Sequence, residues 1–266
     1  MFIRVGERII NSVSFGIGEP PFVAVSGWIG TWQMWRQPLE VLSRHRQCIA
    51  YDHSGSGQTL CNVGKLTCEG QIDDVFRVMD AMEVERCWLC GESHGGFVAA
   101  SAVLQDPSRF YGLVIVSSAP SWRIDADRSR VVFAEALQAS REDALKAFVD
   151  RCVPEPDSPH LRRWLLTMLL ESEPEYGPAL LRQVKVDIRN RLNEITIPTL
   201  IIHGAMDSIE PLRGGELFNA GIKGSRLLVL DDAGHVPTLT HPIEVAEAIV
   251  DFALRSTATA ELPPER

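Results

Sequence analysis

The chain has 266 residues, and several things are scarce in it. No apolar run reaches the roughly 18 residues a bilayer-crossing helix needs. The N-terminus, Met1 to Ile10, alternates and carries charges throughout, so it reads as a strand of a hairpin rather than a signal peptide, and the cytoplasm is the expected compartment. Basic residues are outnumbered, 26 against 35 acidic, for a net charge of −9, and no Lys/Arg cluster stands out. Nucleic acid and membrane are therefore not expected partners, which leaves a small-molecule substrate and the option of a homo-oligomer. No G-x-x-x-x-G-K-[ST] or G-x-G-x-x-G is present, so nucleotide binding has no support.

Six cysteines, at 48, 61, 68, 87, 90 and 152, lack a disulfide framework and read as free thiols. Cys87 and Cys90 form a C-x-x-C, but inside a strand pattern rather than at a helix start, so they read as small buried hydrophobes. The histidines have no ligand spacing with them. Neither a metal nor any other cofactor is expected.

Against those absences, one stretch carries chemistry. Gly91-Glu92-Ser93-His94-Gly95 lies between a short apolar run, Arg86 to Cys90, and a helical pattern that continues to Leu104. Glycines around a serine on a strand-to-helix turn leave room for strained backbone, and the helix N-terminus offers amides and a positive dipole end to an oxyanion. By itself such a pattern can also be a Gly-rich turn with a capping serine. Two downstream residues support its reading as a nucleophile: Asp207 just past the apolar run Pro198 to Gly204, and His235 just past Arg226 to Leu230. Both sit beyond the C-terminal ends of strands, the edge where open α/β sheets place ligands, and in the order Ser, acid, His.

With these residues in place, the chain resembles the α/β-hydrolase family over nearly its whole length. Ser26-Gly27-Trp28-Ile29-Gly30 with Trp35 is similar to the family's His-Gly oxyanion loop. Tyr51 to Thr59 is similar to its D-x-R-G-x-G-x-S turn, and His241-Pro242-Ile243-Glu244 to the start of its last helix. Ser26 and Ser54 depart from the family's usual His and Arg, so these two loops must be braced differently. The resemblance implies Ser93 as nucleophile, His235 as base and Asp207 as the acid that orients it. It also implies an oxyanion hole made by the backbone N–H groups of Trp28 and His94. Asp231 and Asp232 are rival acids.

Alternation along the chain predicts an α/β fold: a mostly parallel eight-stranded sheet with helices on both faces. Strands are expected at 1–5, 9–15, 21–25, 47–51, 86–90, 111–117, 198–203 and 226–230, and helices near 32–44, 67–82, 94–105, 211–220 and 241–255. The strand signal stops between Pro120 and Pro198, where 126–140, 142–151, 160–171 and 178–192 read as helices. The division is a core of 1–120 and 197–256, an inserted helical lid of 121–196, and a flexible tail of 257–266. Within the lid, Leu161, Trp164, Leu165, Met168 and Leu169 share one helical face.

The expected pocket lies between elbow and lid, lined by Trp28, His94, Trp122, Phe133, Trp164 and Met168. That set favours a neutral ester or lactone of small to medium apolar character, with the lid arginines Arg123, Arg128, Arg162 and Arg163 on a solvated face. The expected activity is hydrolysis of a carboxylic ester or lactone through an acyl-enzyme. Rivals within the fold are a carbon–carbon bond hydrolase and a hydroxynitrile lyase, the latter lacking its lysine because Val236 follows His235. A ligand receptor that keeps a vestigial triad is the rival from another class, and turnover separates it.

Overall fold

The structure, a computed structural model, describes residues 1–123, 128–182 and 185–260; of residues 122, 123, 128, 185, 186 and 257–260 only the backbone is described. Its strands are β1 Phe2–Val5, β2 Arg8–Phe15, β3 Phe22–Val25, β4 Cys48–Tyr51, β5 Cys87–Glu92, β6 Phe110–Val116, β7 Ser121–Arg123, β8 Lys185–Asp187, β9 Thr199–Gly204 and β10 Arg226–Leu230. Eight of them form one sheet in the order β1-β2-β4-β3-β5-β6-β9-β10. From β4 to β10 neighbouring strands run parallel, while β1 and β2 add an antiparallel edge.

Both faces of this sheet are buried, and the two-residue period of a strand decides which side chain goes where. Val23, Val25, Ile49, Tyr51, Leu89, Leu113 and Ile115 point to one side. There they meet α2 (Cys68–Ala81), α3 (His94–Gln105) and Phe218 of α8 (Arg213–Gly221). The alternate residues Phe22, Ala24, Cys48, Ala50, Trp88, Cys90, Val114 and Val116 point to the other, against α1 (Arg36–Leu42) and α10 (Pro242–Ala260). Cys87 and Cys90 are thus core residues of opposite faces, and burial pushes both thiols well above their ordinary range.

The strand order creates the site's position. From β3 the chain steps to β4 on one side, then crosses back to β5 on the other, so the loops leaving β3 and β5 diverge and open a crevice at the C-terminal edge.

Four helices stand over that edge, between β6 and β9: α4 Arg128–Ala139, α5 Arg141–Cys152, α6 Pro159–Leu170 and α7 Tyr176–Arg182. They share an apolar cluster with Trp28, Ile29, Met34 and Val236 of the core loops. Polar ties reinforce it: Ser172 Oγ donates to the Ile29 carbonyl at 3.0 Å and accepts from the Gly57 amide at 2.7 Å.

Two expectations change here. The segment expected as one helix over 178–192 is α7, then β8, then a 3-10 turn over Arg189–Glu194. Lys185–Asp187 pairs antiparallel with Ser121–Arg123, and that long-range pairing overrides the local helical pattern. At the C-terminus, α10 runs on to Ala260, past the expected helix end at 255; residues 261–266 lie outside the described part. Among the described residues no helix is long and apolar enough to cross a membrane.

Candidate active site

β5 delivers Ser93 on a turn too tight for ordinary side chains. Ser93 itself has φ +53° and ψ −123°, an unfavourable region for a residue with a Cβ, held by its amide's 2.8 Å bond to the Val116 carbonyl. A Cβ on Gly91 would run into the Gly95 backbone, and one on Gly95 into the carbonyls of Val25 and Ser26, so helix and strand close up only with glycine at both places. Gly27 does the same for the facing loop: a Cβ there would lie 2.9 Å from that of Ser93.

Asp207 and His235 reach the serine from the ends of β9 and β10. His235 Nδ1 lies 2.8 Å from Asp207 Oδ2, and Nε2 lies 2.9 Å from Ser93 Oγ. With the proton on Nδ1 facing a carboxylate, Nε2 is the acceptor for the serine hydroxyl. Asp207 Oδ1 accepts the amides of Ile209 and Glu210 at 2.8 and 2.9 Å, which fixes the carboxylate. Buried His203 sits 3.5 Å from Asp207 Oδ2 while donating to the Glu210 carbonyl at 2.8 Å. The rival Asp232 is solvent-facing and pairs with His241 at 3.3 Å.

Burial opposes the charge on both members of the pair, and their mutual attraction wins. Asp207 is held well below the usual carboxylate range by the neighbouring imidazoles of His235 and His203, despite its burial. Burial likewise disfavours the imidazolium of His235, yet Asp207, with Glu210 and Glu92 behind it, holds it above its ordinary value. Glu92 is wholly buried, so its carboxyl is pushed up to about 7; it accepts a 2.6 Å hydrogen bond from Thr238. The histidine loop also leans on the cap, since the His235 amide donates to the Cys152 carbonyl at 2.9 Å and the Gly234 amide to Glu155 at 2.8 Å.

The two loops that depart from the family pattern are braced locally. Ser26 Oγ donates to the Thr31 carbonyl at 2.6 Å, and Trp35 Nε1 to the Val25 carbonyl at 3.2 Å. In the second loop Asp74 accepts the Ser54 amide at 2.9 Å and pairs with Arg8 at 2.8 Å, so a cation from β2 holds the carboxylate that braces this loop.

Above Ser93 opens a cavity of about 530 Å³. Trp28, Phe133 and Phe148 form its aromatic wall, with ring centroids 5.3 to 5.4 Å apart, and Ala136, Ala144, Ala147, Leu181 and Ile209 extend it. The Trp28 indole donates to the Gly177 carbonyl at 3.2 Å, so one residue ties the candidate oxyanion loop to α7. Arg130 and Glu210 line the cavity as an ion pair at 3.0 Å, and Arg151 lies at its edge.

Of the residues expected to line this pocket, Trp28 and Phe133 do so. His94 does not line this cavity; it borders a small adjoining void with Ser93, Phe97, Arg130 and Glu210, its ring hydrogen-bonded to Gln71 and stacked on Phe97. Met168 is buried in the cap's own core, while its stripe partners Leu165 and Leu169 reach the space beside Ser93 and His235. Trp164 is 37% exposed at the outer edge of the stripe. The side chain of Trp122 lies outside the described residues, as do those of Arg123 and Arg128. Arg163 is exposed as expected, and Arg162 donates to the carbonyls of Val153 and Glu155.

Phe148, Arg130, Glu210 and Gln71 were not singled out by the sequence. For Gln71 a signal existed: Cys68, Gln71, Asp74, Val75 and Val78 share the core-facing stripe of α2, and two polar residues on such a stripe need partners. Among the described residues no group of His, Cys, Asp or Glu could hold a metal ion.

Known proteins share this architecture. The family model for the α/β-hydrolase fold matches residues 20–159, more than half of the chain. The chain is 29% identical over 262 residues to 3-oxoadipate enol-lactonase 1 of Acinetobacter baylyi, covering 94% of this chain and 96% of that protein. It is 28% identical over 237 residues to the pimeloyl-[acyl-carrier protein] methyl ester esterase of Nitrosomonas europaea, covering 84% and 91%. A hydrolase from Pseudomonas aeruginosa superposes with a TM-score of 0.86 at 26% identity, covering 95% and 97% of the two chains. With a match to the family model over more than half its length, and relatives that are esterases and lactonases, the chain belongs to the α/β-hydrolase fold family.

Proposed function

We propose that the protein is a serine hydrolase that opens a carboxylic ester or lactone through an acyl-enzyme. The observation that carries this reading is the continuous chain Asp207–His235–Ser93, with both hydrogen bonds under 3 Å and the serine on a strained turn. His235 takes the hydroxyl proton as Ser93 Oγ attacks the carbonyl carbon, and Asp207 stabilises the imidazolium that results. The backbone amides of Trp28 and His94 receive the oxyanion. When the tetrahedral adduct collapses, His235 returns the proton to the leaving oxygen, and water then releases the acyl group by the same steps in reverse order.

The cavity supports a neutral, largely apolar substrate. Its wall is aromatic and alanine-rich, and its charged pair, Arg130 with Glu210, is internally compensated. Two relatives act, by their names, on an enol-lactone and a methyl ester. The six cysteines are all free, which fits a reducing cytoplasm.

Labelling with a fluorophosphonate probe tests the reading, followed by rates on neutral esters and lactones. Ser93 is the expected single site of labelling, with turnover on the panel; labelling that persists in Ser93→Ala removes the assignment. An intact protein that labels but turns nothing over is a receptor.

A further inference from the structure

The two amides proposed for the oxyanion come from separate loops, after β3 and after β5, and catalysis needs them at a fixed spacing. Under the elbow, three buried polar side chains join those loops. His94 Nε2 lies 2.6 Å from Gln71 Oε1. Gln71 Nε2 lies 2.8 Å from the Ser54 carbonyl and 2.9 Å from His53 Nδ1. His53 Nε2 faces the Gly27 carbonyl at 3.4 Å, one residue before Trp28. Gln71 and His53 are fully buried and His94 nearly so, from three different segments of the chain.

The contacts fix the protons at Gln71 and His94, while His53 Nδ1 also lies 3.0 Å from the Ser54 carbonyl. The end of Gln71 that faces the Ser54 carbonyl must be its NH₂, because two oxygens there would repel. His53 bridges that same Ser54 carbonyl, through Nδ1, and the Gly27 carbonyl, through Nε2. Gln71 Oε1 in turn accepts from His94 Nε2–H. Burial, with His53 and Arg130 nearby, pushes His94 well below the usual imidazole range, so that ring is neutral.

We infer that His94, Gln71 and His53 are positioning residues that set the spacing of the oxyanion amides, through His94 on the elbow and the Gly27 carbonyl on the facing loop. This rests on the reading of Ser93 as nucleophile. None of the three side chains lines the main cavity, and only His94 borders the small void beside Ser93, so the cluster acts on the transition state through the backbone. The interaction they support exists only once the carbonyl oxygen becomes an oxyanion, so its loss shows in kcat.

The full-length Gln71→Met variant tests this, since it keeps the side chain's length and removes its polar contacts with His94, the Ser54 carbonyl and His53. We expect kcat to fall about tenfold with KM within about twofold, less than deleting an oxyanion donor outright. Affinity for a trifluoromethyl ketone of the best substrate, whose adduct places an oxyanion in the same hole, should weaken by the same factor as kcat/KM. A cluster that only stabilises the fold would lower Tm and leave kcat and that affinity unchanged, which overturns the proposal, as does a loss confined to KM.

Should the variant fail to fold, long-range ¹H–¹⁵N correlation on the wild-type protein still decides. A neutral Nε2–H tautomer is expected at His94, and an Nδ1–H tautomer there contradicts the arrangement. Turnover that survives in Ser93→Ala would instead remove the underlying reading, whatever Gln71 does.

Discussion

The sheet edge and the cap face each other across one cavity, but they are specified by different physics. Below, position is set by backbone: glycines that allow contact closer than any Cβ permits, a serine forced to φ +53°, and strand ends that put Asp207 and His235 side by side. Above, position is set by side chains packing on one another, with Phe133 and Phe148 stacked at 5.3 Å and Trp28 reaching up to α7. Steric prohibitions tolerate almost no substitution, whereas hydrophobic packing tolerates many of similar volume. The reacting groups should therefore respond to mutation all-or-none and the cap by degrees.

Substitutions at the sheet edge should have the greatest effect. His235→Ala is expected to cost on the order of 10³-fold or more in kcat, because the three groups act as a unit. Asp207→Asn should also cost heavily, since the amide favours the wrong tautomer of His235. Steady-state rates on the best neutral ester measure both, and full activity in Asp207→Asn would show that the acid is misassigned.

Cap substitutions should give a smaller and different response. Phe148→Ala removes one face of the aromatic wall without touching the polar chain, so kcat/KM is expected to fall about tenfold, mostly through KM, for the bulkiest acyl groups and less for acetyl. An equal loss for all acyl sizes would place Phe148 in folding rather than in selectivity.

Smaller still is the pH effect, and it separates stability from activity. His235 is held above its ordinary value of 6.5, so kcat/KM should fall on the acid side of a limb lying above pH 6.5, where the imidazole is protonated. The same raised value adds folding stability below pH 6.5, lost as pH rises through the folded pKa. Asp207, held low, adds stability above pH 3.8 that is lost as pH falls toward its folded value. A pH–rate profile read beside a pH–Tm series checks these opposite trends. Trp164→Ala marks the bottom of the scale, with kcat/KM expected within about twofold because exposed side chains contribute little.

The same contrast explains what could be read from sequence. The elbow, Asp207 and His235 were legible because strand ends and turn glycines are local features, and a mostly parallel eight-stranded sheet followed from alternation, though its strand order did not. Pocket residues were not. A helical stripe shows that Trp164, Leu165, Met168 and Leu169 share a face, but not which one meets a neighbour, a core or solvent. Arg130 meets Glu210 across 80 residues of sequence, and β8 forms only because β7 is there to pair with it. Gln71 was visible as a polar residue on an apolar stripe, yet its partners lie on two other segments.

Covalent catalysis at Ser93 can be observed in a single step, as the intact mass of the protein quenched within milliseconds of mixing with an activated ester. The expected result is a mass increase of one acyl group, located by peptide mapping on Ser93 and missing from Ser93→Ala. Turnover of that ester with no acyl adduct on Ser93, or with the adduct on another residue, would show that Ser93 is not the nucleophile.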